Sequence, residues 1–329
     1  MIRKERGYPI RLRMYETILK RIVDHHLKLQ QIEQDYNGWR SGYKGELKTD
    51  YRLSFLPEKG YDIFRDLRLP DGTWYFQMDT LILTLRYILL IETKNHSGTL
   101  FFDKESQQMI QTKDEKEKAY ECPVLQVKMQ SWHLRRWMIE HKFAIPPIFH
   151  LVVISNPNTI IKSNNPQLYN TVVKGDVLLN RVQQIDQKNS KEVFTAKELK
   201  KLSNMLLKKH TPQHPDLLKF YSLTDEDFHK GVECPACSSF GMFREKWHWM
   251  CPHCGHTSKS AHYGAIMDHF LLYKPTMTNQ EFRDIAKIDS LKSANRMLSF
   301  MNLPATGINK GRIYHMPADI DTFFTFPKI

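Results

Sequence analysis

Gln77-Met78-Asp79-Thr80-Leu81-Ile82-Leu83-Thr84, then Leu85-Arg86, then Tyr87-Ile88-Leu89-Leu90-Ile91-Glu92-Thr93-Lys94 is the stretch around which the rest of the chain can be organised. Both runs are rich in Ile and Leu, as strands are. If Leu85 and Arg86 form a turn, Thr84 lies opposite Tyr87 and, counting back, Asp79 lies opposite Glu92. Directly opposed side chains have Cβ atoms about 4.5–5.5 Å apart. Leu-Arg is not favoured turn chemistry, so a longer symmetric loop in the same register is expected. Side chains alternate along a strand, so Glu92 and Lys94 share a face. Two carboxylates and one ammonium thus converge at one end of a hairpin.

Opposed carboxylates repel, and one protonates unless something neutralises the pair. A hard divalent cation, Mg²⁺ or Mn²⁺, does this through oxygen ligands and leaves positions open for water and phosphate. Lys94 would then orient or deprotonate a water, or steady the charge on a phosphorane. That is a phosphodiester-cleaving arrangement, although a surface strand with scattered charges has the same residues. Upstream, Ser41-Gly42-Tyr43-Lys44-Gly45-Glu46 places a glutamate at an expected helix start, where an acidic residue also suits capping. Downstream, Pro123-Val124-Leu125-Gln126 opens a helix with glutamine in its first turns.

Around these pieces the periodicity predicts a helix over 11–35, with His25 in its apolar stripe, ended by Asn37-Gly38 and Ser41-Gly42. A second helix begins near Gly45. Strands are predicted over 61–69, 74–84 and 87–95, a helix over 124–141, a buried strand over 149–155, and a short strand and helix within 171–184. Thr195 and Glu198 form a capping box for a helix to Lys209. His133 lies on the Gln126 side of its helix and is expected to pack rather than react.

The four pieces Gly42-x-x-Gly45-Glu46, Gln77-x-Asp79, Ile91-Glu92-x-Lys94 and Pro123-x-x-Gln126 resemble, in that order, the nuclease-related domain (NERD) family. That family is similar to the PD-(D/E)XK nucleases, which include restriction endonucleases and Holliday-junction resolvases. The resemblance covers residues 38–155. It implies an α/β fold with a PD-(D/E)XK-like central mixed sheet flanked by helices. It implies a Mg²⁺ (or Mn²⁺) site held by Asp79, Glu92, Glu46 and the backbone carbonyl of Thr93, with Lys94 acting on water and Gln126 in support. An Asn commonly precedes the helix proline in the family; Cys122 stands there in this chain.

Cys234-Pro-Ala-Cys237 and Cys251-Pro-His-Cys254 are two C-x₂-C pairs thirteen residues apart. Four thiolates at two turns make a tetrahedral, structural Zn²⁺ site, and the module resembles a zinc ribbon. His253 and His256 are alternative ligands. Beyond it, Thr278 and Glu281 cap a helix to Ala286, and a second helix runs from Ser290 to Met301 with Leu291, Ala294, Leu298 and Met301 inward. A strand at 312–316 follows. This resembles a helix-turn-helix with a small wing, in which Lys292, Asn295 and Arg296 would face a groove and Lys310 and Arg312 would touch phosphate. A helical hairpin packed on the ribbon fits equally well.

The chain of 329 residues, with 41% apolar and 26% charged side chains, suggests two domains and a small module. The expected division is 1–210 for the nuclease-related domain with its N-terminal helix, 211–230 for a linker, 231–260 for the ribbon and 261–329 for the helical module. The 48 Lys+Arg against 36 Asp+Glu give a net charge of +12, which suits an anionic partner, DNA first. No stretch spans a bilayer and the N-terminus lacks an export signal, so a cytoplasmic protein with reduced thiols is expected. The reading is a metal-dependent DNA endo- or exonuclease targeted by its C-terminal modules. The rivals, both using the nuclease-like fold as a scaffold, are a catalytically inactive DNA-binding protein and a protein-docking adaptor that recruits a partner through the ribbon and helices.

Overall fold

The computed structural model describes residues 1–317 and residue 320. The remainder of the expected C-terminal module, 318–319 and 321–329, lies outside the described residues. The chain forms two compact units: Met1–Tyr8 with Asn37–Gln213, and Pro9–Tyr36 with the chain from His214 onward. The N-terminal helix, expected in the first domain, therefore belongs to the second unit.

The chain opens with β1 (Ile2–Lys4), α1 (Ile10–Arg21) and α2 (Leu29–Leu53). The single helix predicted over 11–35 is parted around His25, which is exposed at φ 64 rather than set in an apolar stripe. α2 runs on through Gly38 and Gly42, where the sequence predicts a stop. Helix propensity is a weak prior that packing overrides, and α2 buries Thr49, Asp50 and Leu53.

Three antiparallel strands follow: β2 (Asp62–Asp71), β3 (Trp74–Leu83) and β4 (Ile88–Lys94). β3 and β4 pair as Leu83↔Ile88 through Thr80↔Ile91, the register predicted. No longer loop is needed. Thr84 N donates to Tyr87 O at 3.0 Å, and the Thr84 hydroxyl accepts from the N–H groups of Arg86 (3.1 Å) and Tyr87 (2.9 Å). The Leu85 carbonyl is occupied by the N–H groups of Val193 and Phe194. The threonine hydroxyl and a distant segment thus supply what Leu-Arg lacks. Toward the other end, Asp66 sits at φ 53 between the pairs Arg65↔Thr80 and Leu67↔Met78. The core side chains step from Phe64 to Leu67 on β2 and from Met78 to Leu81 on β3, so alternation slips in both strands. β3 and β4 part at this kink.

The first unit continues with β5 (Thr99–Phe102), β6 (Gln108–Lys113), β7 (Lys116–Glu121), α3 (Pro123–Glu140), β8 (Ile148–Ile154), β9 (Ile160–Ser163), β10 (Val172–Lys174), α4 (Leu178–Lys188) and α5 (Ala196–Lys209). The central sheet is mixed, in the order β1-β2-β3-β4-β8-β10, with β8 parallel to β4. One face packs Leu81 and Leu90 against Val127 and Leu134 of α3 and Leu202 and Leu206 of α5. The other packs Ile82, Leu89 and Ile91 against Leu53 of α2 and Leu178 and Val182 of α4. A second sheet, β7-β6-β5-β9, is not anticipated by the sequence reading.

The second unit adds α6 (Leu217–Tyr221), β11 (Val232–Glu233), β12 (Phe240–Glu245), β13 (His248–Met250), β14 (Thr257–Ser258), α7 (His262–Leu272), β15 (Thr276–Thr278), α8 (Asn279–Ala286), α9 (Leu291–Phe300), β16 (Ala305–Thr306) and β17 (Ile313–His315). Met14 and Ile18 of α1 share a core with Tyr221 and Leu271. β15, β17 and β16 form a three-stranded sheet in that order. Within α9 the inward residues are Ala294, Met297 and Leu298, while Leu291, expected inward, is 53% exposed. No helix among the described residues is long and apolar enough to cross a membrane.

Gly45 is the point where α2 meets the end of β4. A Cβ there would lie 2.5 Å from Asn95 Cβ and 2.7 Å from Ser155 Oγ, whereas one on Gly42 would meet nothing within 4 Å. Gly45→Ala should therefore cost about 1–3 kcal/mol through overpacking, and Gly42→Ala should gain up to about 1 kcal/mol. Urea denaturation reads both. Equal shifts would remove the close-approach explanation.

Candidate active site and metal centre

The sequence-predicted residues gather where β3 and β4 diverge. Asp79 turns back across the gap, and its Oδ2 accepts from the backbone N–H of Thr93 at 2.9 Å. Glu92 is 2% exposed and points toward α3, as Leu90 does two residues earlier. Its Oε1 accepts from Lys94 Nζ at 2.7 Å and its Oε2 from Gln130 Nε2 at 2.9 Å. Lys94 Nζ also donates to Gln126 Oε1 at 2.9 Å. Gln126 and Gln130 lie one turn apart on α3, so this helix holds Lys94 with one amide and Glu92 with the other. The helix starts at Pro123, with Cys122 as an N-cap that makes no side-chain hydrogen bond. Thr93 points the opposite way from its neighbours, and its hydroxyl donates to Thr49 Oγ1 on α2 at 3.2 Å.

Glu46 projects from α2, but its partner is not one that sequence reasoning finds. Arg6, with a side chain only 3% exposed, is ion-paired with Glu46 and with Asp50, the latter at 2.7 Å. Its Nη2 donates to the backbone carbonyl of Asp79 at 2.7 Å. One guanidinium therefore ties the N-terminal segment to α2 and β3. No motif marks Arg6, because its partners lie far along the chain and its neighbours read as an ordinary charged terminus. Asp50 is likewise unmarked, whereas helical periodicity already puts Gln130 on the Gln126 side of α3 without giving it a role. Gln77 turns away to Asp66, its Nε2 donating to Oδ1 at 2.5 Å. His133 is stacked on Phe76 and paired with Asp71, so it packs rather than joining the site.

The charges of the site act on one another. Burial lifts the Glu46 carboxyl to about 7, with Arg6 opposing and Asp66, Asp50 and Glu92 adding to the rise. Burial, then Glu92 and Glu46, push Asp79 well above the ordinary carboxylate range, against the Thr93 N–H and Lys94. Burial disfavours the Lys94 ammonium, but Glu92 outweighs it, with help from Asp79 and Glu46, and the net shift is upward. Lys94 is thus held as a cation here. It suits charge stabilisation and water orientation better than proton abstraction.

The donor set of Glu46, Asp79 and Glu92 is all oxygen and carries excess negative charge, which suits Mg²⁺ or Mn²⁺. In the arrangement seen, however, cationic side chains do the neutralising. Both Glu92 oxygens face N–H donors and Glu46 faces Arg6. Among the described residues, the one group of at least three His, Cys, Asp or Glu ligand atoms within 4.8 Å of one another is made by the four cysteines.

Those cysteines are built for a metal. Cys234 and Cys254 sulfurs are 3.7 Å apart, and Cys237 and Cys251 sulfurs 3.6 Å. Zn–S bonds of about 2.3 Å in a tetrahedron put sulfurs about 3.8 Å apart. Cys234 and Cys237 share one tight turn and Cys251 and Cys254 another: Ser238 N donates to Cys234 O and Gly255 N to Cys251 O, with φ 59 at Ser238 and φ 71 at Gly255. His253 and His256 stand outside the cluster. The strands β11-β12-β13-β14 carry the turns. Trp249 is fully buried and donates its Nε1–H to His262 Nδ1 at 3.0 Å, on a ring that burial keeps neutral, near pKa 3. Val232, Met242 and Trp249 join Ala265, Phe282 and Leu298 in one core, so the ribbon is not a free-standing module.

Lys292, Asn295, Arg296, Lys310 and Arg312 are all exposed. Three of them already have partners. Asn295 Oδ1 accepts from Asn279 at 2.7 Å, the Arg296 guanidinium lies 4.2 Å from the centre of the Trp247 ring, and the Arg312 guanidinium lies 5.3 Å from the centre of the Tyr314 ring.

Residues 41–155 match the family described as the nuclease-related domain (NERD), a little over a third of the chain. The matched segment contains Glu46, Asp79, Glu92, Lys94 and Gln126. Comparison with curated proteins finds no match, and neither does comparison with solved structures.

Glu46 has a folded pKa of about 7 against an ordinary value of 4.5. Its contribution to stability is therefore full below pH 4.5 and is lost as pH rises through about 7. Urea denaturation in chelator should show stability falling over that window, with a flatter profile for Glu46→Gln; identical profiles would remove the burial effect. The purified chain should carry one Zn²⁺. Stripping it, or Cys251→Ser, should loosen α7–α9 as well as the ribbon, read by near-ultraviolet dichroism of Trp249 and by melting. A metal-free chain with an unchanged melt would remove the assignment.

Proposed function

We propose that the first unit is a metal-dependent nuclease that hydrolyses phosphodiester bonds of DNA. Asp79, Glu92, Glu46 and the carbonyl of Thr93 would hold a Mg²⁺ or Mn²⁺ ion, which when bound supplies Lewis-acid stabilisation of the phosphate undergoing attack. Lys94 keeps its proton and donates a hydrogen bond to the incoming water or to a phosphate oxygen, steadying charge as it develops. Gln126 fixes the Lys94 ammonium, and Gln130 fixes Glu92. Arg6 holds Glu46 and the Asp79 backbone in place. The observation that carries this reading is the linked set Asp79–Thr93 and Glu92–Lys94–Gln126 at the strand divergence, inside the matched segment.

In the second unit, the ribbon and the α8–α9 pair with its three-stranded sheet would deliver the enzyme to DNA. Lys292, Asn295 and Arg296 would lie toward a groove, and Lys310 and Arg312 toward phosphates. The Arg296–Trp247 stack supports a reading surface shared between α9 and the ribbon hairpin, made of charge and an aromatic face.

One observation favours a second reading. Arg6 and Lys94 already neutralise the carboxylates, as they would in a binding protein that uses this fold without a cation. The two readings separate cleanly. Asp79→Asn and Lys94→Ala should each lower Mg²⁺-dependent cleavage of plasmid or oligonucleotide DNA by about a hundredfold or more, with DNA affinity in EDTA unchanged. Cleavage that survives both substitutions removes the catalytic assignment; wild-type protein that binds but never cleaves supports the second reading.

A further inference from the structure

The helix that carries Glu46 has an outward face that none of the chemistry above uses. Leu47, Tyr51 and Phe55 follow one another at four-residue intervals and are 41%, 67% and 62% exposed. Residues four apart lie on one side of a helix with a rise of about 6 Å between them, and Phe55 continues the row just past the last turn of α2. The Tyr51 and Phe55 rings meet edge to face, with centroids 5.1 Å apart, and so present two ring surfaces rather than one collapsed cluster. Single exposed apolar residues need no explanation, but a contiguous row of them marks a binding surface. Lys44 and Lys48, also exposed, form a parallel row one residue along the helix from Tyr43 and Leu47. Glu46 is the immediate neighbour of Leu47.

We propose that this face of α2 is a stacking ridge that receives the unpaired bases of a single-stranded nucleic acid, with Lys44 and Lys48 on its phosphates. Aromatic rings beside basic side chains are the recurring chemistry for single strands, since every base has a face to stack and every nucleotide a charge to neutralise. An apolar protein partner would gain nothing from the lysines, and a duplex keeps its base faces covered. The ridge deepens the nuclease reading by naming the substrate class. It rests on that reading for cleavage only and not for binding.

The test is fluorescence anisotropy of the full chain in EDTA with a labelled oligothymidine and with a blunt duplex of equal length. Tyr51→Ala/Phe55→Ala should weaken single-strand binding about tenfold or more and duplex binding less than about twofold. Tyr51→Trp/Phe55→Trp should keep the affinity, which guards against a general loss of structure, as should an unchanged melting curve. Lys44→Ala/Lys48→Ala should weaken both and flatten the salt dependence by about one to two phosphate contacts. Unchanged single-strand affinity in the ring-deleted variant overturns the ridge. So does an equal loss on both probes. Self-association that the ring-deleted variant abolishes, with oligonucleotide binding retained, would make the face a protein interface instead. Ring-dependent binding without wild-type cleavage leaves the ridge standing and removes the nuclease reading; cleavage with ring-independent binding does the reverse.

Discussion

Placing several carboxylates in a poorly hydrated pocket is unfavourable unless positive charge accompanies them. The first unit meets this constraint at the divergence of β3 and β4, and much of its layout follows. β1 pairs in parallel with β2, Ile2↔Ile63 and Lys4↔Phe64, and this short edge strand brings Arg6 to Glu46 and Asp50. α3 is anchored by its apolar side in the core while its two glutamines reach Lys94 and Glu92. α2 can approach only because Gly45 has no side chain. Removing either cation would leave an uncompensated charge, and the carboxyl groups would respond by keeping their protons. Burial already raises the Glu46 and Asp79 carboxyls in that direction.

Much of this was legible in the residue order, for identifiable reasons. The hairpin register follows from counting back from two residues between apolar runs, and Thr80↔Ile91 agrees with the count. The capping boxes at Thr195 and Thr278 are local, reciprocal hydrogen bonds that need no tertiary knowledge. Thiol spacing alone brings four sulfurs together. What escaped was non-local. Arg6 acts on residues at least forty positions away. The continuity of α2 through its glycines is decided by the sheet it covers. β7, Lys116–Glu121, is polar and mostly exposed, so nothing in its alternation announces a strand. The stability of the Leu85-Arg86 turn depends on backbone donors more than a hundred residues later.

The second unit follows a different logic. Its thiolate turns and its helices share one apolar core, centred on Trp249 and Phe282. A metal held by the four sulfurs would therefore be coupled to helix packing there. The proposed DNA-facing side chains inherit their positions from that shared core, and Arg296 is further oriented by the Trp247 face.

The path of the backbone carries its own consequence. The chain leaves the first unit after Tyr8, lends residues 9–36 to the second, returns, and leaves again after Gln213. α1 buries Met14, Tyr15 and Ile18 among Tyr221, Phe228 and Leu271. A gene cut at the apparent linker would not yield two self-sufficient halves. The upstream fragment would leave the apolar face of α1 uncovered, and the downstream fragment would lack a wall of its core. Duplication, fusion or exchange of these units in evolution, like dissection at the bench, must carry that helix across the break.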